Sequence, residues 1–268
     1  MTSGPEVAGD ALLTGELVLT GRIMPASNAT FLAEVAGVQV VYKPVAGEKP
    51  LWDFPDGTLA QREVAAYLVS EAVGWDVVPP TWLRDGPHGP GMVQVWQDVD
   101  PEQQAVDVVP ADAVPDGLLH VFDGLDGEGN AVSLVHEDTP ALRRMAVLDV
   151  LLNNADRKGG HVLEMADGHR YGADHGLTLH AEHKLRTVLW GWLGEPLTDD
   201  ELDGVRRVRT ALDGGNEAEG HLGLSEALGS LVTAEELDAL GERCDRLLAT
   251  GRFPGPSGGM PPVPWPPF

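Results

Sequence analysis

The sequence holds a single cysteine, Cys244, so neither a disulfide framework nor a four-cysteine zinc site can form within the chain. A lone thiol in a helical stretch is expected to be buried as a small hydrophobe. No stretch approaches the roughly 18 apolar residues needed to span a bilayer. The polar, acidic residues 1–10 have neither a basic n-region nor an apolar core, so no targeting segment is read, and a cytoplasmic protein without stable membrane association is expected. Basic residues are scarce as well: 18 Lys and Arg stand against 42 Asp and Glu, for a formal net charge of −24, and only four of the basic residues are lysines. That excess repels polyphosphate backbones and anionic lipid, which argues against nucleic acid as a partner. There is no internal repeat, and no Gly-rich loop of the protein-kinase type precedes Lys43. What is present is 268 residues, 43% of them hydrophobic, enough for one large domain or two lobes around a cleft.

Alternating apolar and polar residues predict strands over 15–23, 31–35 and 38–43, with Ala36-Gly37 as a tight connection. Residues 24–30 form a small-residue turn that can fold over phosphates, offering backbone N–H groups and the Ser27 hydroxyl beside Asn28. Lys43 ends the third strand. A helix is predicted over 58–74, with Ala60, Val64, Tyr67 and Leu68 as its apolar stripe and Glu63 at the edge of that stripe, within reach of the sheet. Residues 46–57 read as an ordered loop in which Trp52 and Phe54 pack. A strand over 91–96 leads into Gln97-Asp98-Val99-Asp100-Pro101, which suits a hinge between lobes. Residues 101–138 read as acidic loop with little regular structure. Within them Asp123, Asp126, Glu128 and Asn130 make a solvated turn, because the alternation required of a calcium loop is broken. A deeply buried helix is predicted over 139–152, and further helices open at Thr198 and Thr233. Residues 251–268 are rich in proline and glycine and read as an extended or disordered tail, a segment suited to binding a protein partner.

The chain is organised around residues 153–176. Asp156 lies in a polar, Gly-rich loop, His161 follows five residues later, and Asp174 precedes Gly176 after two short apolar runs that predict a hairpin. An Asp, a metal-holding Asn five residues on and an Asp-x-Gly form the phosphoryl-transfer centre of kinases. His161 stands where that Asn would be. A strand lysine held by a glutamate on the following helix, here Lys43 and Glu63, is a second kinase component.

Taken together, Ser27-Asn28-Ala29-Thr30-Phe31, Val41-Tyr42-Lys43-Pro44, Arg62-Glu63-Val64-Ala65, residues 153–161, Asp174-His175-Gly176 and residues 184–192 resemble the phosphatidylinositol 3- and 4-kinase superfamily. The chain is more closely similar to the small actinobacterial proteins of that superfamily. The resemblance runs through most of residues 16–192. It implies an α+β, bilobal protein-kinase-like fold: a small, mostly-β N-lobe over 1–99, with an antiparallel sheet and one helix, and a larger, mostly helical C-lobe over 100–250, followed by the tail. It also implies an ATP-dependent phosphotransferase. Lys43 would bind the α/β-phosphates and Glu63 would position it. Asp156 would orient or deprotonate the acceptor, and Asp174 with His161 would hold Mg²⁺, with Mn²⁺ as the other candidate. Ser27 and Asn28 would contact phosphates, and Gln97 and Val99 an adenine edge.

The basic segment after Gly176 is short, with only Lys184 and Arg186, so the implied acceptor is a protein or a small metabolite rather than a lipid. Other functions stay open. His161, His169, His175, His180 and His183 fall within 23 residues, next to Asp156 and Asp174, which suits a metal-dependent hydrolase. A nucleotide-binding pseudokinase acting as a scaffold keeps the fold and drops the chemistry. Nucleotidyl transfer to a protein hydroxyl is a further outcome.

Overall fold

The computed structural model describes residues 11–24, 26–55, 57–214, 223–257 and 259–268. Strands β1 (Leu17–Arg22), β2 (Phe31–Val35), β3 (Val38–Pro44), β4 (Thr81–Gly86) and β5 (Gly89–Val95) form one antiparallel sheet in the order β1-β2-β3-β5-β4. Ala36 and Gly37, both at positive φ (50° and 81°), make the two-residue connection that suits the twist of a hairpin. One face of the sheet closes on Ala33, Val35, Val40, Tyr42 and Val93. Gly91 is required where β5 crosses the end of β3, since a methyl group there would lie 2.5 Å from the Lys43 carbonyl oxygen. The two strands pair with Lys43 opposite Met92.

Helix α1 (Leu59–Val73) follows a turn at Thr58, but the Thr58 side chain does not cap it. Glu48 does so instead, its carboxylate accepting from the N–H groups of Leu59 (3.1 Å) and Ala60 (2.9 Å). Gly74, at φ 77°, ends the helix in the left-handed conformation that glycine tolerates. The single apolar stripe predicted for α1 is too narrow. Ala60 and Val64 pack on Met92 of the sheet, whereas Ala65, Ala66, Val69 and Val73 join the core of the second lobe. Buried on both sides, α1 is the wall the two lobes share, and the buried Arg62–Glu236 ion pair (2.6 Å) fastens it to the far lobe.

Residues 101–138 depart from the loop expected of them. Strands β6 (Val106–Pro110), β7 (Leu118–Leu125) and β8 (Ala131–Glu137) form an antiparallel sheet in the order β6-β8-β7. Acidic and glycine residues obscure the strand pattern both in the turns and within the strands, where Asp107, Asp123, Gly124 and Glu137 lie. Asp126 accepts from the N–H groups of Glu128 and Asn130 and from Asn130 Nδ2, so the hairpin end is closed by side chain and backbone alone.

Helix α2 (Pro140–Leu152) starts as predicted, with Thr139 accepting from the Leu142 N–H and Pro140 at the first helical position. It buries Leu142, Met145, Leu148, Leu151 and Leu152 in the main core. The hairpin β9 (Val162–Glu164) and β10 (Arg170–Gly172) follows. Helices α3 (Asp199–Leu212) and α5 (Ala234–Thr250) open with capping boxes, Thr198 with Glu201 and Thr233 with Glu236, and α4 (Leu224–Gly229) lies between them. Cys244 is buried, and burial pushes its thiol up to about 12, which makes it inert at neutral pH.

The architecture is therefore α+β in two lobes, a small sheet lobe and a larger lobe in which helices share the core with two small sheets. The tail is extended, as the prolines require, but the described part of it is packed against the larger lobe: Phe253 is buried, and Pro262 accepts from the Thr187 N–H at 3.0 Å. Among the described residues no helix is long and apolar enough to cross a membrane.

Candidate active site

The end of α2 delivers the chain into the Asp156 loop through two buried asparagines. Asn153 takes the left-handed conformation (φ 53°) that stops the helix. Its Nδ2 donates to the carbonyls of His180 (2.9 Å) and Glu182 (2.6 Å), and its Oδ1 accepts from the Lys184 N–H (2.8 Å). Asn154 donates to Asp149 Oδ1 (2.9 Å) and accepts from the Asp156 N–H (3.0 Å). Backbone bonds from Ala155 to Leu177 and from Arg186 to Asn154, each 2.9 Å, tie the loop to the segment after Gly176.

Arg157 turns away from solvent and fastens this arrangement from beneath. Its guanidinium is fully buried, as is Asp149, which accepts from Nε (2.9 Å) and Nη2 (2.8 Å). Nη1 donates to the carbonyls of His161 (3.1 Å) and Ala173 (3.2 Å), and Nη2 lies 2.7 Å from His175 Nε2. Burial and then the Arg157 charge hold the His175 pKa well below its ordinary value, so the ring is neutral. It therefore accepts from Arg157 at Nε2 and carries its proton on Nδ1, which is buried without a protein partner.

Above this base the charged side chains converge. Lys43 Nζ lies 2.6 Å from Glu63 Oε1 and 2.8 Å from Asp174 Oδ1. The other Glu63 oxygen accepts from the His175 N–H at 2.8 Å, so the buried glutamate is held at both ends. Burial acts to lower the Lys43 pKa, but the Asp174 and Glu63 carboxylates outweigh it and leave the ammonium above its ordinary range. The Lys43 charge in turn holds the Asp174 carboxyl well below the usual carboxylate range. Asp174 sits at φ 58°, a strained conformation for a residue with a side chain, and is half exposed to the cleft. Asp156 stands 3.6 Å from Lys158, and burial raises its pKa against that lysine.

His161 Nε2 is 3.6 Å from Asp174 Oδ2. Burial lowers the His161 pKa to about 4, so its ring is neutral, the form that ligates a metal. Mg²⁺ keeps several waters and is held through one or two carboxylates together with substrate phosphates, so Asp174 is the donor that suits it, whereas the His161 imidazole suits softer ions. A single carboxylate donor of this kind fits an ion that takes its other oxygens from phosphate and water.

A cavity of about 190 Å³ opens on these groups, lined by Lys43, Glu63, Asp156 and Asp174 together with Ser27 and Asn28 of the turn after β1. Asn28 Oδ1 accepts from the Lys49 N–H at 2.9 Å, which draws the turn onto the loop after β3. Gln97 and Val99 do not line this cavity; the link they belong to is pinned by the Asp100 N–H donating to Glu164 at 2.8 Å. The histidine cluster suggested by sequence proximity does not form. His175 is spent on Arg157, His169 bonds the Asp76 carbonyl at 2.7 Å, and His180 packs edge-on against Phe54. Among the described residues, no three His, Cys, Asp or Glu side chains assemble as a metal site.

Several residues of the site carry no motif. Glu48 and Lys49 line the cavity from the loop read only as ordered, and Asp149 anchors Arg157 from within a helix read as core. One signal was available for the lysines: in a chain with four, Lys43 and Lys49 line the cleft and Lys158 faces Asp156. The fourth, Lys184, is buried 3.2 Å from Asp53 with Trp52 over it.

No protein-family model matches the chain. It is 50% identical over 270 residues to Protein Rv2133c of Mycobacterium tuberculosis (strain ATCC 25618 / H37Rv), a match covering 96% of this chain and 94% of that protein. Among solved structures, the crystal structure of a Helicobacter pylori proinflammatory kinase, CtkA, aligns over 88% of this chain and 97% of its own at 14% identity, with a TM-score of 0.44.

Proposed function

The chain belongs to the family of Mycobacterium tuberculosis Protein Rv2133c, and from its cleft we propose an ATP-dependent phosphotransferase acting on a hydroxyl acceptor. The observation that carries this reading is Lys43, one ammonium suspended between buried Glu63 at 2.6 Å and Asp174 at 2.8 Å on a cavity that Asp156 also lines. Phosphoryl transfer asks little covalent chemistry of a protein and depends on positioning and charge neutralisation, for which such a constellation is suited.

On nucleotide binding, Lys43 exchanges its bond to Asp174 for α/β-phosphate oxygens, while Glu63, locked by the His175 N–H, keeps it in place. Asp174 and His161 would then hold Mg²⁺, which would supply neutralisation of the charge developing on the phosphates. Ser27 and Asn28, which line the cavity, would contact the triphosphate, and the base is assigned to the link at Gln97 and Val99, beyond the cavity. Asp156, aimed by the Asn154 bond to its N–H, accepts a hydrogen bond from the acceptor hydroxyl. It takes the proton as the new O–P bond forms and the bond from the γ-phosphorus to ADP breaks.

The acceptor is a protein or small-metabolite hydroxyl. The two basic groups after Gly176 are already committed, Lys184 to Asp53 and Arg186 to the Pro261 and Val263 carbonyls, and offer no free pair for an inositol phosphate. His161 favours one second reading, a pseudokinase that binds nucleotide without transfer, because an imidazole stands where kinases place a harder ligand. Labelled ATP separates the outcomes. Transfer of γ-label that is lost in Asp156→Asn, with nucleotide binding kept, supports the phosphotransferase. Transfer of α-label supports nucleotidyl transfer, and binding with neither supports the pseudokinase. Full γ-transfer by Asp156→Asn overturns the assignment.

A further inference from the structure

Residues 261–268 run along the outside of the catalytic loop, and their carbonyls are held by donors from that loop and the segment paired with it. Pro262 accepts from the Thr187 N–H (3.0 Å) and from Trp190 Nε1 (2.8 Å). Arg186 donates to the carbonyls of Pro261 (3.2 Å) and Val263 (3.4 Å). Furthest along, Pro267 accepts from the N–H of Gly159 at 2.8 Å, and the Phe268 ring lies flush on that glycine, where a methyl group would stand 2.3 Å from ring carbon Cε1.

A proline-rich strand has few N–H groups and no internal hydrogen bonds, so its carbonyls must find donors elsewhere. Here the donors belong to the site. Gly159 lies between Asp156 and His161. Thr187 and Arg186 flank the backbone ladder in which Arg157 donates to Arg186 and Val188 donates to Arg157, each at 3.1 Å. The tail contributes nothing to the lining of the cavity, so it supports the loop from behind and leaves the cleft open. The loop residue that meets the tail is Gly159, followed by the exposed Gly160, so the loop has little side-chain packing of its own there to fix its path.

We propose that residues 261–268 are a positioning element of the phosphotransfer site, clamping the loop between Asp156 and His161 through Gly159 so that Asp156 is aimed at the acceptor. This rests on the phosphotransferase reading. Misplacing a reacting group by about 1 Å costs as much as 100-fold in rate, whereas the proposed triphosphate contact at Lys43, which Glu63 holds in place, lies away from the tail and is spared.

The test uses the full chain with Phe268→Ala, Gly159→Ala and the double variant. Two readouts are taken: turnover of γ-labelled ATP to water or to the protein itself, and amide hydrogen exchange at Gly159 and Thr187. The expected result is a fall in kcat of roughly tenfold for Phe268→Ala with the KM for ATP nearly unchanged, faster exchange at Gly159, and unchanged exchange in α2. Gly159→Ala, whose methyl group would displace the ring, should do the same, and the double variant should be no worse than the poorer single one. Wild-type kcat in Phe268→Ala, or Gly159 exchange as slow as in the parent, overturns the clamp. Absence of γ-label turnover in the parent protein overturns the phosphotransferase reading instead, and the exchange of Gly159 then decides whether the tail holds the loop.

Discussion

Removing Asp149 should damage the protein more than any other single change near the site that leaves every cavity-lining side chain intact. Asp149 and Arg157 are both fully buried, and the carboxylate accepts from Nε and Nη2 of the guanidinium and from Asn154 Nδ2. In Asp149→Ala the Arg157 charge stays where it is, because its other donors still hold the His161 and Ala173 carbonyls. An uncompensated buried charge of that kind costs about 3–5 kcal/mol, a large share of the roughly 5–15 kcal/mol that keeps a domain folded. At about 2–4 °C per kcal/mol for a chain of this size, the midpoint should fall by roughly 6–20 °C. Denaturant unfolding of Asp149→Ala, Arg157→Met and the pair measures the coupling directly. The double variant, which leaves no lone charge, should be more stable than Asp149→Ala. Should Asp149→Ala cost less than about 1 kcal/mol, or the two single losses simply add, then Arg157 does not organise the loop as described.

His161→Asn should strengthen nucleotide binding in Mg²⁺ relative to Mn²⁺, since it replaces a softer donor with a harder one; calorimetry with each ion checks this, and an unchanged ratio contradicts the placement of His161 in the metal shell. Away from the cleft, His136 is buried, accepts from the Gly191 N–H at 2.9 Å and has its pKa lowered by burial, against its bond to the Glu137 carbonyl. The folded state therefore refuses a proton that the unfolded chain takes up near the ordinary value, so stability contributed by His136 is complete above about pH 6.5 and declines as pH falls below it. His136→Gln should flatten that part of the stability profile, and an identical acid slope in the two proteins refutes the assignment.

The groups that converge on the cleft were legible because each lies on or beside an element whose pattern is strong. Lys43 closes an alternating run, Glu63 lies on a helix, and Asp156 and Asp174 flank a hairpin with turn residues at its tip. What stayed hidden depends on long-range partners. Asp149 and Arg157 are charged and would be assigned to solvent, and only the closing of the loop over α2 buries them together. The strands of 106–137 are interrupted by acids and a glycine of their own, Asp107, Asp123 and Gly124, which dilutes the alternation within a window of ten residues. Glu48 caps a helix eleven residues away. The tail has no pattern to read, since its order comes from donors more than 70 residues distant.

The central claim is that Lys43, Glu63 and Asp174 grip a metal-bound triphosphate. Titration calorimetry of ATP with and without Mg²⁺, on the parent protein and on Asp174→Asn, tests it most directly. Tight binding to the parent is expected only when Mg²⁺ is present, with loss of that Mg²⁺ dependence in Asp174→Asn. Equal ATP affinity in all four titrations, or no binding to the parent at all, would contradict it.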